Sequence, residues 1–359
     1  MLYTLVAYYL LGALLYRRRR VLTPKIRIFV CLLPAFFITA FRNISVGNDT
    51  YVYARAFDLL DTTNTLRNLI VNSRFESGFN IVEYAFKWVG ADYYVMQVCI
   101  SIFIYFSLGR FIFRYSTNPW ITMFVFVTTR DMFGPMNTIR MWMAISVLLF
   151  SIDAIIGRKL LRFILLTILA SMFHFSALIF PIAYFLYKVK IDFRIISITL
   201  ILSTSILLLG RSFFQWLSTQ INRYSGYLNS QYFDVSDNIA IYLELLLNLT
   251  YYCLLYFIHK KMAALGVETT GVDQLAYLAA LLSVAMSIIG LTNAITSRVT
   301  AYFSIFLIVS LPNALHRVQR KNRAILIPAF ILLMTLQFVI VITLRPHWSG
   351  IIPYSFLWD

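Results

Sequence analysis

Residues 41–83 read FRNISVGNDTYVYARAFDLLDTTNTLRNLIVNSRFESGFNIVE, a segment rich in charged residues although only 13% of the whole chain is charged. Arg42 and Asp49 lie near its start and Glu76 near its end. Apolar runs long enough to cross a bilayer flank it on both sides. A polar loop of this size between membrane spans predicts a site that acts on a polar molecule.

The composition of the rest of the chain predicts an all-α polytopic membrane protein of about 10–12 transmembrane helices. Hydrophobic residues make up 60% of the 359 residues, which leaves little chain for a separate soluble domain. We therefore expect residues 1–359 to form a single integral membrane domain. The apolar runs fall at 2–16, 25–41, 93–113, 118–130, 138–156, 160–173, 175–187, 195–210, 239–258, 274–291, 299–315 and 324–344.

The net charge of +16 is explained by membrane topology rather than by a nucleic-acid partner. Alternating the loops along the chain puts 20 of the 31 Lys and Arg residues and four of the 15 acidic residues on one side. That excess marks the cytoplasmic face, while the charges on the opposite face balance. Both termini then lie outside, and we expect membrane lipid but no nucleic acid as a partner.

Two polar loops lie on the outer face in this topology. The first, 42–91, contains two stretches with amphipathic helical spacing, 51–60 and 79–89, whose apolar faces suit the membrane surface. The second, 211–238, is rich in tyrosine and charged residues. We expect short amphipathic helices in the first loop.

Two outer-face arginines, Arg140 and Arg298, each begin an apolar run. A guanidinium at such a position either snorkels to the interface or faces a cavity or a partner. Arg42 is placed similarly, beside a polar loop. Several guanidinium forks converging on one outer cavity would suit a phosphate or diphosphate, because each fork binds oxygen pairs bidentately.

Carboxylates and one histidine are the candidates for acid–base chemistry on a hydroxyl. Glu76 and Asp49 are either such groups or the ion-pair partners of Arg42 or Arg74. His174, between two phenylalanines, is either a base near neutral pH or a helix-end histidine bonded to the backbone.

Neither a metal nor a cofactor is predicted. The sequence contains no Walker motif, HExxH, GxSxG, Cys/His cluster or DxD pair. Cys31, Cys99 and Cys253 each fall within a predicted span, where a small buried apolar residue is the simplest interpretation. The expected chemistry therefore uses a substrate that is already activated.

The segment FRNISVGNDTYVYARAF (41–57) resembles the opening motif of the EpsG family, the Wzy-like polymerases of bacterial surface polysaccharides. Position 48 is Asn where Thr is commoner, and the segment after Tyr53 is longer in polar residues than expected. The family's later motifs are matched in the same order by ESGFNIV (76–82), MNTIRMWMAISVLLFS (136–151), FHFSALIFPIAY (173–184), SRVTAYFSIF (297–306) and IIPYSFLW (351–358).

This resemblance implies a GT-C-like, lipid-dependent and metal-independent glycosyltransferase of the bacterial inner membrane, with its active site facing the periplasm. Its substrate would be an undecaprenyl-diphosphate-linked oligosaccharide, whose glycan passes to a lipid-linked repeat unit. A chain-length regulator in the same membrane is a further partner that the family allows. The residues implied are Glu76, Asp49, His174 and Arg298 for catalysis, and Arg42, Arg140, Tyr302 and Tyr354 for substrate binding.

Two other functions fit the same composition. A polysaccharide ligase would use the same carrier, but such enzymes usually have a larger periplasmic loop than 211–238. A flippase or transporter would have ionisable residues at mid-membrane depth, where Glu244 is the main candidate.

Overall fold

The structure is a computed structural model that describes residues 2–17, 22–63, 73, 75–210, 212, 216, 239–264, 266, 269–292 and 298–359. Most of the second polar loop, 211–238, and Arg74 lie outside the described residues. Within them the protein is all-α, and the only β pairing is an isolated bridge between Arg42 and Phe356.

The α-helices of the first half of the chain are α1 Leu2–Arg17, α2 Pro24–Ala40, α3 Thr50–Asp58, α4 Ser77–Trp88, α5 Tyr93–Tyr115, α6 Pro119–Thr128, α7 Gly134–Asn137, α8 Ile139–Leu149, α9 Ile152–Ile156 and α10 Leu160–Ser171. The second half contains α11 Pro181–Leu186, α12 Phe193–Leu208, α13 Ile239–Ala264, α14 Gly271–Gly290, α15 Ala301–Ser304, α16 Leu307–Arg317 and α17 Arg320–Leu344.

The predicted fold class is confirmed, because every predicted apolar run lies on a helix or on a chain of short helices. Five segments of the described chain are long and apolar enough to cross a membrane: Tyr93–Tyr115, Ile239–Ala264, Gly271–Gly290, Arg298–Arg317 and Arg320–Leu344. Shorter apolar helices supplement them at Tyr3–Leu15, Pro119–Thr128, Ile139–Leu149, Leu160–Ser171, Phe175–Leu186 and Phe193–Leu208. The chain is thus a polytopic helical membrane protein.

Local sequence determines where several of the shorter helices begin or are interrupted. Helix α6 begins where Asn118 accepts a hydrogen bond from the backbone N–H of Ile121, at 3.2 Å, with Pro119 in its first turn. At ten residues it is about 15 Å long, half the thickness of a bilayer core. The run after His174 is likewise broken, into a 3₁₀ turn over Phe175–Ile179 and then α11.

The chain divides into two compact units, of which the first comprises Met1–Leu178 and Leu315–Asp359. Helix α5 is its centre, since α2 and α8 both pack against it and α10 packs against α8. Asp92 caps α5 by accepting from the backbone N–H of Val95 at 2.8 Å. One end of this unit therefore carries the loops next to residue 92, and the other end lies about 34 Å along α5.

An ion-pair network occupies the far end of α5. Asp153 accepts from Arg110 at 3.0 Å, from Arg114 at 2.9 Å and from the Tyr115 hydroxyl at 2.5 Å. The predicted topology assigns Arg110, Arg114 and Asp153 to the cytoplasmic side. The network joins the end of α5 to α9. It lies at the end of α5 opposite to the polar first loop.

The second unit, Ile179–Ala314, packs around α14. A capping box of Thr270 and Asp273 starts this helix, and α11, α12 and α13 contact it. Inside the unit the amide of Asn248 donates to the Ser287 hydroxyl at 2.9 Å. Such a paired polar contact satisfies groups that would be costly to leave unbonded in an apolar interior.

The two amphipathic helices predicted in the first loop are present as α3 and α4. Tyr53 and Phe57 of α3 are buried, while Tyr51 is 56% exposed. In α4, Phe79 is buried and Trp88 is 70% exposed. One face of each helix therefore packs on the protein, and the other presents apolar side chains outward.

Candidate functional site

The centre of the candidate site is a buried ion pair between Glu76 and Arg140. Glu76 is the extended residue that precedes α4, and Arg140 lies in the first turn of α8. Nη1 of Arg140 donates to Oε2 of Glu76, and the two side chains are only 16% and 8% exposed. A pair this well shielded from water is strongly coupled, so neither residue is replaceable without disturbing the other.

Two aromatic rings complete the surroundings of Arg140. Its guanidinium carbon lies 4.6 Å from the ring centre of Phe75 and 5.5 Å from that of Tyr53. The faces of aromatic rings carry partial negative charge and stabilise a nearby cation. Nε of Arg140 is buried and has no hydrogen-bond partner among the described residues, so this cation has unused donor capacity.

His174 lies on the other side of the same carboxylate. Its Nδ1 is 3.8 Å from Oε1 of Glu76 and 3.2 Å from the Ser176 hydroxyl. The backbone N–H of Phe175 donates to the same Oε1 at 3.3 Å. His174 is a quarter exposed at the end of α10, where its backbone N–H bonds to Ala170. The carboxylate of Glu76 thus faces a guanidinium with one oxygen and an imidazole with the other.

A glycine contact brings Glu76 and His174 together. The backbone N–H of Gly78 donates to the carbonyl of Met172 at 2.8 Å. A Cβ added at position 78 would lie 2.8 Å from that carbonyl oxygen and 3.0 Å from its carbon. Because both contacts are with backbone, only glycine allows α4 to approach the end of α10 this closely.

Substituting Gly78 with alanine is expected to reduce activity at least 10-fold and to destabilise the protein by about 1–3 kcal/mol. The added methyl group must push α4 from Met172 and so separate Glu76 from His174. Thermal unfolding in detergent and polymer formation measure the two effects. Ser77→Ala, one position earlier in the same helix, is the matched control. A Gly78→Ala protein as stable and active as Ser77→Ala would contradict this close approach.

Asp49 lies beside the segment that leads to Arg140. It precedes α3 and is half-buried. On its two sides, the backbone N–H of Asn48 donates to the Asn137 side chain at 2.7 Å, and the Thr50 hydroxyl donates to the Met136 carbonyl at 2.8 Å. The structure therefore brings the first loop next to the residues that lead to Arg140, as expected for two segments on the outer face.

Arg42 is placed differently from the other candidates, because it is completely buried. Nη1 of Arg42 donates to the backbone carbonyl of Thr39 at 2.5 Å. The side-chain amide of Gln97 donates to the backbone carbonyl of Arg42 at 3.0 Å. The hydroxyl of Tyr354, another predicted site residue, donates to the carbonyl of Ile38 at 2.7 Å. Neither side chain is bonded to Glu76 or Arg140 in this arrangement, and the substrate-binding roles of Arg42 and Tyr354 stay predictions.

Arg298 and Tyr302 belong to the second unit. Arg298 starts a 3₁₀ turn, Arg298–Thr300, and is half-buried, whereas Tyr302 in α15 is 1% exposed. Arg298 also begins the apolar segment that ends at Arg317, as the sequence predicts. The catalytic and binding roles of these two residues stay predictions.

The model of the EpsG family matches residues 25–356, nearly the whole chain. The chain belongs to the EpsG family. EpsG proteins are Wzy-like polymerases, so this chain is a membrane polymerase of the glycosyltransferase type. Searches of the curated proteins and of the solved structures find no significant match.

Sequence reasoning missed part of the site in this EpsG protein. Arg140 is the partner of Glu76, whereas the predicted partners were Arg42 and Arg74. The rings of Tyr53 and Phe75 were also not assigned, although Tyr53 lies in the opening motif FRNISVGNDTYVYARAF and Phe75 adjoins Glu76. In the part of the chain that the structure describes, no group of three His, Cys, Asp or Glu side chains is arranged to hold a metal ion.

Asp131, in the 3₁₀ turn between α6 and α7, has an unusual carboxyl group. Desolvation raises the pKa of this carboxyl from 3.8 to about 6, against the opposing effects of the Thr129 hydroxyl and the Arg130 guanidinium. The Thr129 hydroxyl donates to Oδ2 of Asp131 at 2.8 Å. The folded protein therefore binds this proton more tightly than the unfolded chain does.

Relative to the wild type, the Asp131→Asn variant is expected to be more stable at pH 7.5 than it is at pH 4.5. Because the folded pKa is the higher one, the wild type loses stability as the pH rises from about 4 through about 6, by at most about 3 kcal/mol. Asparagine keeps an acceptor for Thr129 but does not titrate. Thermal unfolding of both proteins at the two pH values measures this. If the stability difference between the variant and the wild type is the same at pH 4.5 and pH 7.5, the raised pKa of Asp131 is contradicted.

Proposed function

We propose that this EpsG protein polymerises a bacterial surface polysaccharide at the periplasmic face of the inner membrane. It would transfer the growing glycan from undecaprenyl diphosphate to a lipid-linked repeat unit. The observation that carries this proposal is the convergence of Glu76, Arg140 and His174, from three separate segments, into one charged cluster beside the polar first loop. Membership of a polymerase family supports it.

In the proposed reaction, His174 accepts the proton of the acceptor hydroxyl. With a proton on Nδ1 facing Glu76 and Ser176, the imidazole has its lone pair on Nε2, which serves as the base. The acceptor oxygen then bonds to the anomeric carbon of the donor glycan. The bond from that carbon to the diphosphate oxygen breaks, and the electron pair leaves with the diphosphate.

Arg140 would stabilise the negative charge that develops on the leaving diphosphate. Its guanidinium is held in place by Glu76 and by two aromatic rings, so little reorganisation accompanies charge transfer. A sugar on a diphosphate is already activated, so this reaction needs neither a metal nor a cofactor.

Glu76 has a positioning role in this proposal rather than that of the base. One of its oxygens holds Arg140, and the other faces His174 and the backbone N–H of Phe175. A carboxylate beside an imidazole fixes the tautomer and stabilises the imidazolium that forms. The same residue thus aligns the proposed base and the proposed electrophilic group.

The excess of Lys and Arg on the opposite loops supports a periplasmic site with both chain termini in the periplasm. An undecaprenyl-diphosphate-linked oligosaccharide and membrane lipid are the proposed partners, and a chain-length regulator in the same membrane is another. Asp49, immediately before α3, is a further polar residue of the proposed site.

The products of a deletion strain test the proposed function. Loss of a polymerase leaves single repeat units on the final lipid anchor, and a plasmid carrying the wild-type protein restores long polymer. Loss of a ligase would leave no glycan on that anchor, and loss of a flippase would trap the lipid-linked repeat inside. Either of the last two results would overturn the proposal. Purified protein with lipid-linked repeat units should lengthen them without added nucleotide or divalent metal.

A further inference from the structure

We propose that the C-terminal segment, residues 346–359, is a positioning element for Arg140. The inference rests on the proposed function for the role of Arg140. The contacts that carry it run from the C-terminal segment through the start of the first loop to the residues before α8.

The C-terminal segment is bonded to the end of α2 and the residues that follow. The backbone N–H of Asn43 donates to the carbonyl of Ser355 at 3.0 Å, and that of Leu357 donates to Phe41 at 2.9 Å. The hydroxyls of Ser45 and Ser355 are 3.2 Å apart. These contacts pair the segment with residues 41–45 as a short extended ribbon.

Aromatic rings cover the outside of this ribbon. Phe356 and Trp358 stack with centroids 4.7 Å apart, and Phe37 lies 5.8 Å from Phe356 and 6.1 Å from Trp358. The ring of Phe41 adjoins both Phe37 and Trp358. The C-terminal segment is therefore held by packing as well as by hydrogen bonds.

Arg42 lies beneath this layer. Its bond to the Thr39 carbonyl satisfies the last turn of α2, as basic residues at helix ends commonly do. Among the described residues no carboxylate lies within 4.0 Å of its guanidinium, and Tyr93, Tyr105 and Tyr354 lie close to it. A buried cation of this kind is costly without a fixed shell of polar groups. Only Nη1 of Arg42 has a hydrogen-bond partner among the described residues, and its Nε and Nη2 are buried without one.

The far end of the C-terminal segment contacts the start of the first loop. The backbone N–H of Gly47 donates to the carbonyl of Gly350 at 2.7 Å. Gly350 has φ +60°, and a Cβ there would lie 2.3 Å from Oδ1 of Asn48 and 3.1 Å from its backbone nitrogen. A side chain at position 350 must therefore turn the Asn48 side chain aside and shift the Asn48 backbone nitrogen by a few tenths of an ångström.

Asn48 in turn supports the residues that lead to Arg140. Its backbone N–H donates to the Asn137 side chain at 2.7 Å, and Thr50 bonds to the Met136 carbonyl at 2.8 Å. Asn137 ends α7, three residues before Arg140. A shift of the Asn48 backbone therefore moves Asn137. Because Asn137 lies three residues before Arg140, it also moves the guanidinium that we propose to bind the leaving diphosphate.

Gly350→Ala tests this coupling, with Gly90→Ala as its matched control. Gly90 has φ +76° and no atom within 4 Å of the added Cβ, so both variants carry the backbone cost of alanine at positive φ and only one displaces Asn48. We expect Gly350→Ala to lower kcat about 10-fold or more with little change in KM, since a misplaced catalytic group affects mainly the chemical step. An effect no larger than that of Gly90→Ala would overturn the proposal.

A double-mutant cycle separates positioning from a general structural role. In an Arg140→Ala background, Gly350→Ala should lower kcat no further, because its effect acts through Arg140. Adding Asn48→Ala should restore only part of the activity to the Gly350→Ala protein, since it removes the contact with Oδ1 and leaves the contact with the backbone nitrogen. A full additional loss of kcat in the Arg140→Ala background would overturn the proposal.

Locking the C-terminal segment checks that it is a fixed support and not a moving lid. Ser45→Cys and Ser355→Cys, with Cys31, Cys99 and Cys253 replaced by serine, place two thiols where two hydroxyls are 3.2 Å apart. The oxidised and reduced forms of this double-cysteine protein should have equal activity. Loss of activity on oxidation, regained on reduction, would overturn the proposal.

Amide hydrogen exchange tests the coupling without reference to the reaction. Exchange over residues 134–140 should rise by about 10-fold in Gly350→Ala relative to Gly90→Ala, as expected for the loss of local protection. Unchanged exchange there would overturn the coupling itself. If the wild-type protein forms no polymer while exchange responds as expected, the proposed function fails and the structural coupling stands.

Discussion

Replacing Arg140 with alanine is expected to reduce polymer formation by at least 100-fold. Arg140 is the proposed stabiliser of the leaving diphosphate, and removing one preorganised donor of this kind typically costs about 3 kcal/mol or more in the barrier. Arg140→Lys should retain part of the activity, because lysine keeps the positive charge but loses the planar fork. Initial rates with purified protein and lipid-linked repeat units measure both variants.

Arg55→Ala provides the control for this comparison. Arg55 is exposed on α3, in the same polar loop, and its removal takes away a positive charge without disturbing the buried pair. The level of each protein in the membrane must be equal before rates are compared. Long polymer from a stably expressed Arg140→Ala protein, at the wild-type rate, would rule out the assigned role.

Replacing Glu76 with alanine is expected to have the largest effect on stability, about 3–5 kcal/mol, because it leaves the Arg140 guanidinium buried without its counter-ion. Glu76→Gln should cost less, since its amide oxygen still accepts from Phe175. Denaturant unfolding in detergent gives these values. Both variants should also lose activity, because His174 loses the carboxylate that orients it.

The double variant Glu76→Ala with Arg140→Ala separates the ion pair from general packing. Removing both charges leaves no uncompensated cation, so the double variant should be more stable than the sum of the single losses predicts. Asp58→Ala, which removes an exposed carboxylate from the end of α3, controls for loss of an acidic side chain near the site. Additive losses in the cycle would show that Glu76 and Arg140 are not coupled.

Most of the helical architecture could be predicted from the sequence, because a membrane span depends on hydropathy within one window of about 20 residues. The helices α5, α13, α14 and α17 begin and end within a few residues of apolar runs, and polar residues such as Asp92 mark where a helix starts. The order of short motifs was also sufficient to indicate the family, since each motif is a local pattern.

The candidate site was only partly predictable, because its contacts join residues far apart in the chain. Sequence reasoning selected Glu76, Arg140 and His174 as separate candidates, yet nothing local shows that Arg140 rather than Arg42 pairs with Glu76. The approach of Glu76 to His174 likewise depends on how α4 packs against the end of α10, which Gly78 permits by its missing side chain. Packing of this kind has no periodic signature in the sequence.

Arg42 shows most clearly what each level of description determines. By itself the sequence determined a helical membrane protein, a polar first loop and a set of ionisable residues, because hydropathy and charge are properties of the residues themselves. Only the tertiary structure decided that Arg42 is enclosed beneath residues 354–358 while Arg140 faces Glu76. The environment of a charge, and therefore its chemistry, depends on which distant segments pack around it.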